Sequence, residues 1–289
     1  MKLGGHKRIT NFPEKLKLLL KNIKLHYKSI ISVLVILSIG LISTTWFGGN
    51  NLISAGDFSY FLSLQKNILL CSYMNLGSSP SALLAFLPLT MFELGGFTLV
   101  SIEKILFYFL FTFPGLSMYF LTSSLIKGDR GYLAGVISAF FYMMNTYTWQ
   151  IKWSSGYIMS LFAYGALPLM LAFFIKGLNE KRNTKYVILI GLASLLAAPS
   201  GSTITYLVVI WLVLFLYLIY YMVTQRQQLE IFRSLKFTIL SFVTWFLLNL
   251  WWITNEIAKF SWSTLSQTLS SESYSNILSL NSESTSARR

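Results

Sequence analysis

Gly48-Gly-Asn-Asn-Leu-Ile-Ser-Ala-Gly-Asp57-Phe-Ser-Tyr60 opens the stretch that decides the fold. Residues 48–101 form the one long segment between the first and last apolar spans that does not itself read as a transmembrane helix. It holds Asp57, one of two aspartates in the chain. Within residues 57–73, Phe58, Phe61, Leu62, Leu64, Ile68 and Leu69 fall on or near one helical face. Ser59, Ser63, Gln65, Lys66 and Asn67 fall largely on the other. Such a helix is too polar to span and suited to lie in the interface plane. Asn75-Leu-Gly-Ser-Ser-Pro80 breaks it, and a second semi-polar stretch, residues 81–94, runs into Gly95-Gly96.

The composition around this loop is that of an integral membrane protein. Of 289 residues, 54% are hydrophobic and 11% charged, with a mean hydropathy of +0.60. A soluble domain carries about 25% charged residues. The net charge of +13 does not point to nucleic acid, because the basic residues sit in short clusters beside apolar spans. That placement fixes membrane orientation instead. The single cysteine, Cys71, excludes an intrachain disulfide and a cysteine-based metal site. Both histidines, His6 and His26, precede the first span, so histidine chemistry inside the membrane domain is excluded.

Residues 1–28 form a basic amphipathic arm, expected on the cytoplasmic face of an anionic membrane. Span one follows at 29–47, long enough to cross. Beyond the loop come spans at 102–125, 131–149, 156–175, 186–198, 204–223 and 237–257. The second carries Pro114-Gly115, a kink signal, and the fifth is short. Lys127 and Arg130, then Lys176, Lys181, Arg182 and Lys185, then Arg226, Arg233 and Lys236 fall on the inner side. Only Lys66, Lys104, Lys152 and Lys259 fall on the outer side. The expected fold is therefore an all-α polytopic membrane helix bundle of about seven transmembrane helices, residues 29–260. Its N-terminus is cytoplasmic, and its long first outer loop, 48–101, carries interfacial helices. Residues 261–289 are Ser-rich and expected to be disordered.

The ionisable groups in and beside the spans are few: Asp57, Glu93, Glu103, Lys104, Lys152, Glu256 and Lys259, all on the expected outer face. A carboxylate at that boundary is costly unless paired, solvated or metal-bound. Asp57 reads as a general base or a ligand to a divalent cation. It reads also, and compatibly, as the N-cap of the helix it precedes. Glu93 is a second carboxylate, or simply solvated. Glu103-Lys104 opens span two, where flanking charges are ordinary. Lys152 sits between Trp149 and Trp153 and reads either as a phosphate-neutralising group or as a snorkelling side chain. No phosphate loop, nucleotide fingerprint, metalloprotease helix or nucleophile elbow is present.

The order of these features resembles the GT-C superfamily of membrane glycosyltransferases, in particular its arabinofuranosyltransferase-like branch and the YfhO-type proteins. The resemblance rests on Ser54-Ala-Gly-Asp57-Phe-Ser-Tyr-Phe61, Asn145-Thr-Tyr-Thr-Trp-Gln-Ile-Lys-Trp153 and Tyr164-Gly-Ala-Leu-Pro168, and covers roughly residues 30–260. It implies a cell-membrane enzyme moving a sugar from a polyprenyl-phosphate donor to a glycan, glycolipid or glycoprotein acceptor on the outer face. It implies Asp57 as the catalytic carboxylate, with a divalent cation (Mg or Mn) as its partner. Lys152, Trp153 and Glu93 are then substrate-binding groups. Such enzymes usually have more spans and a second loop carboxylate close to the first, so the resemblance implies a truncated or inactive member. The competing classes are a transporter or permease subunit, and a non-catalytic membrane scaffold.

Overall fold

The computed structural model describes residues 27–49, 51–53, 80–126, 128–154, 156–180, 182–202, 204–224 and 230–258. Asp57, the expected interfacial helix at 57–73, the basic arm and the Ser-rich tail lie outside the described residues. Among those described there are eight α-helices and no strand. They are α1 (Tyr27–Trp46, finishing in a 3-10 segment, Leu41–Trp46), α2 (Leu83–Leu94), α3 (Leu99–Leu125) and α4 (Asp129–Met143). Then follow α5 (Ser160–Asn179), α6 (Thr184–Ala197), α7 (Ile204–Thr224) and α8 (Glu230–Ala258). Short 3-10 turns, Pro80–Ala82 and Ala198–Ser202, open α2 and extend α6. The protein is an all-α polytopic membrane bundle.

Six of these helices, with α6 counted through Gly201, are long and apolar enough to cross a membrane. The expected third span, 131–149, is instead divided. Its helix α4 stops at Met143, and 15 residues reach only about 22 Å of the roughly 30 Å hydrocarbon thickness. Asn145 ends it. Its Nδ2 donates to the Tyr142 carbonyl (2.8 Å) and its Oδ1 accepts from the Thr148 N–H (3.0 Å), so the side chain competes with the backbone ladder. The chain restarts as a π-helical turn, Tyr147–Trp153.

Together the two pieces make the crossing. Beside α3 they run antiparallel: a side chain on Gly135 would meet Tyr119, one on Gly115 would meet Met143, and Trp153 stands 5.1 Å from Phe107. Helix α5 then runs parallel to α3. At one end Ile102 and Leu106 share a core with Ile158 and Phe162, and at the other Leu121 packs with Ala172 and Ile175. Two parallel neighbours joined by a returning segment require that segment to cross.

The remaining helices alternate in the same way. In α1, Ser29 receives the Tyr119 hydroxyl (3.3 Å) while Trp46 reaches Phe107 (6.1 Å), so α1 opposes α3. In α7, the Tyr221 hydroxyl donates to Leu178 O (3.1 Å) at the far end of α5. In α8, Phe237 lies 5.6 Å from Phe174, and Asn249 donates to Ser194 of α6 (2.9 Å). Counted between successive crossings, every even connection therefore falls at one end, which we call the basic end, and every odd one at the other, the loop end. Helices α3 and α5 are the centre, each 67% buried over its most apolar stretch, while α1, α7 and α8 are only 22–28% buried and present apolar surface to lipid.

At the loop end, α2 closes over the bundle. It ends at Gly96, whose positive φ of 86° suits a residue without a side chain. Phe97 N–H reaches Phe92 O (3.1 Å) and Gly96 N–H reaches Glu93 O (3.0 Å). The Phe92 and Phe97 rings meet at 5.6 Å, the hydrophobic contact that accompanies this turn. Thr98 then caps α3 by accepting the Ser101 N–H (3.3 Å).

Candidate functional site at the loop end

The π-helical turn Tyr147–Trp153 turns Lys152 inward, and the side chain is only 5% exposed. Its Nζ donates to the Tyr206 hydroxyl (2.6 Å) at the start of α7. It also faces the rings of Tyr206 (4.8 Å) and Tyr147 (5.3 Å), so π faces and a phenol oxygen solvate the charge. Among the described residues no carboxylate forms an ion pair with it. The ammonium points into protein rather than out to water, which argues against snorkelling as the reading of Lys152.

Trp153 is structural at its ring faces. It contacts Trp46 (5.0 Å), Phe107 (5.1 Å) and Phe111 (6.1 Å), and Trp46 also meets Trp149 (5.3 Å). These rings form an aromatic block under the loop end. The turn that carries it is held by Asn145, which also donates to the Tyr164 hydroxyl (2.7 Å). Tyr142 and Tyr164 stack at 4.1 Å and exchange hydroxyl bonds to each other's carbonyls (3.0 and 2.9 Å). Two of the sequence stretches singled out above, 145–153 and 164–168, thus meet in space.

Glu103 departs from expectation. An ordinary flanking charge would be solvated, yet Glu103 is fully buried, one turn from Phe107 on α3. Its Oε2 accepts the backbone N–H of Ile53 (3.1 Å), which ties the root of the outer loop to α3. Its Oε1 is buried with no hydrogen-bond partner among the described residues. The sequence reads Glu103 as an ordinary flanking charge and does not single out Tyr206. The signal for Glu103 was its register with Leu106, Phe107 and Leu110, the buried stripe of α3. Tyr206 carried no local signal, because its role depends on a chain position 54 residues away.

Among the described residues no hydrogen bond or ion pair joins Glu93 to Lys152. Glu93 sits half-buried in the last turn of α2, 11 residues or about 17 Å of helix beyond Ala82. It is the other end of α2, Pro80–Ala82, that packs against Ala198–Ser202 at the loop end. There Ser200 bridges α5 and α6, donating to Met159 O (2.6 Å) and accepting from Ala163 N–H (2.9 Å). Asp57 lies outside the described residues. No group of three or more His, Cys, Asp or Glu converges among the described residues, so they do not by themselves furnish a divalent-cation site.

Compared with family models, curated proteins and solved structures, the chain matches none. What it does is therefore read from the site.

Proposed function

We propose that the protein is a membrane glycosyltransferase of the GT-C kind, acting at the loop end, on the outer face of a cell membrane, on a sugar carried by polyprenyl phosphate. The observation that carries this reading is Lys152. Taking an ammonium out of water costs several kcal/mol even after relaxation. Here it is met by two phenols and, among the described residues, no carboxylate, an arrangement suited to receiving an anion from outside. A lipid-linked phosphate presents such an anion at a membrane face.

In the reaction, the oxygen of an acceptor hydroxyl attacks the anomeric carbon of the donor sugar. The bond from that carbon to the phosphate oxygen breaks, and the phosphate leaves with the electron pair. Lys152 stabilises the charge gained by the leaving phosphate, an electrostatic role that grows toward the transition state. The acceptor proton passes to a carboxylate base, for which the sequence offers Asp57. The aromatic block around Trp153 holds the π-helical turn in place.

The experiment uses the full chain in nanodiscs and measures binding of polyprenyl phosphate, then sugar transfer from the glycosylated carrier. Lys152→Gln is expected to weaken carrier binding at least about tenfold, and Asp57→Asn to leave binding intact while abolishing transfer. Carrier binding unchanged by Lys152→Gln would overturn the reading.

A further inference from the structure

We propose that Glu103 is the sugar-recognising group of this site, taking a hydroxyl of the carried sugar on Oε1 while Oε2 stays on the Ile53 amide. This rests on the reading of Lys152 as the phosphate-binding cation. Three observations lead to it. Glu103 is fully buried, which an apolar residue in its register would achieve without penalty. One oxygen has a structural task, the bond to Ile53 (3.1 Å). The other has none among the described residues, although a buried acceptor left without a donor is costly.

The placement fits a glycosyl phosphate. Glu103 stands one turn from Phe107, whose ring touches Trp153 (5.1 Å), and Trp153 follows Lys152 in the chain. Both charged groups belong to segments at the loop end, the carboxylate suited to hydroxyl donors and the ammonium to phosphate oxygens. Because Oε2 is already engaged, the carboxylate is fixed in orientation before any ligand arrives. A site built to bond a hydroxyl discriminates strongly against ligands that lack it.

The test compares two probes on the full chain in nanodiscs: polyprenyl phosphate, and the same carrier bearing arabinose, glucose or mannose, each tried in turn. Glu103→Gln keeps an oxygen for the Ile53 amide and removes the carboxylate. It is expected to weaken the best glycosylated carrier about tenfold and leave bare polyprenyl phosphate unchanged. Lys152→Gln is expected to weaken both. Equal loss on both probes in Glu103→Gln, or no loss on either, overturns the assignment of Glu103 and leaves that of Lys152 standing. Failure of the unsubstituted protein to bind either probe overturns the Lys152 reading and this one with it. A measurement without substitution guards against misfolding of the variant: a carrier with a diazirine on its sugar is expected to label the first turns of α3. Labelling confined to other helices overturns the proposal.

Discussion

At the scale of single residues, the loop end is organised by side chains whose burial is expensive. Lys152 donates to the Tyr206 hydroxyl (2.6 Å). Tyr206→Phe leaves the ring and removes that oxygen, so the buried ammonium loses a hydrogen-bond acceptor. We expect a loss of about 1–3 kcal/mol, seen as a lowered thermal midpoint in detergent. Lys152→Met removes the charge itself and fits the same space, so it is expected to be close to neutral for stability while abolishing carrier binding. The double variant Lys152→Met/Tyr206→Phe should then be more stable than Tyr206→Phe alone. Equal midpoints for these two would show that the ammonium is not the destabilised group. These roles were half legible in the sequence. A lysine between two tryptophans advertises itself, whereas Glu103 is hidden by standing at a span boundary where charges are common. Its burial follows from the packing of Ile53 against α3, which no local pattern encodes.

At the scale of elements, turn chemistry was the readable part and side-chain competition the unreadable part. Gly95-Gly96 announces the end of α2, and the geometry there is the glycine-terminated turn its sequence implies. The short fifth span gains its missing length from the 3-10 turn Ala198–Ser202, anchored by Ser200. The break at Asn145 was missed because residues 131–149 stay apolar enough to read as one helix, and only the bonds of that amide reveal the division. Pro114-Gly115 is a kink signal within α3, and the glycine has a packing task as well. A Cβ on Gly115 would meet the sulfur and Cγ of Met143 and the Ile36 side chain, where α1, α3 and α4 converge. Gly115→Ala is expected to cost about 1–3 kcal/mol by overpacking. Adding Met143→Ala should recover part of that loss, because the flexible thioether is the nearest obstruction. A double variant no more stable than Gly115→Ala would place the strain in the backbone instead.

At the scale of the whole molecule, the distribution of charge and the direction of the helices agree, although they are independent. Arg130, Lys176, Arg182, Lys185, Arg233 and Lys236 all fall at the basic end, against Lys104 and Lys152 at the loop end. Positive residues mark the side that is not translocated, so the basic end is expected in the cytoplasm and the loop end outside. The parity depends on α4, the one crossing too short to be recognised by length. If α4 with its π-helical turn did not cross, Asn51 and Tyr157 would lie on opposite sides of the membrane. If it does, they lie on the same side, with Arg182 opposite. Single cysteines at these three positions, in a background with Cys71→Ser, decide between the two. Asn51→Cys and Tyr157→Cys are expected to react with a membrane-impermeant maleimide added to intact cells. Arg182→Cys should react only after permeabilisation. Protection of Tyr157→Cys in intact cells would remove the seventh crossing, and would move Lys152 to the face where no lipid-linked sugar of the outer leaflet reaches it.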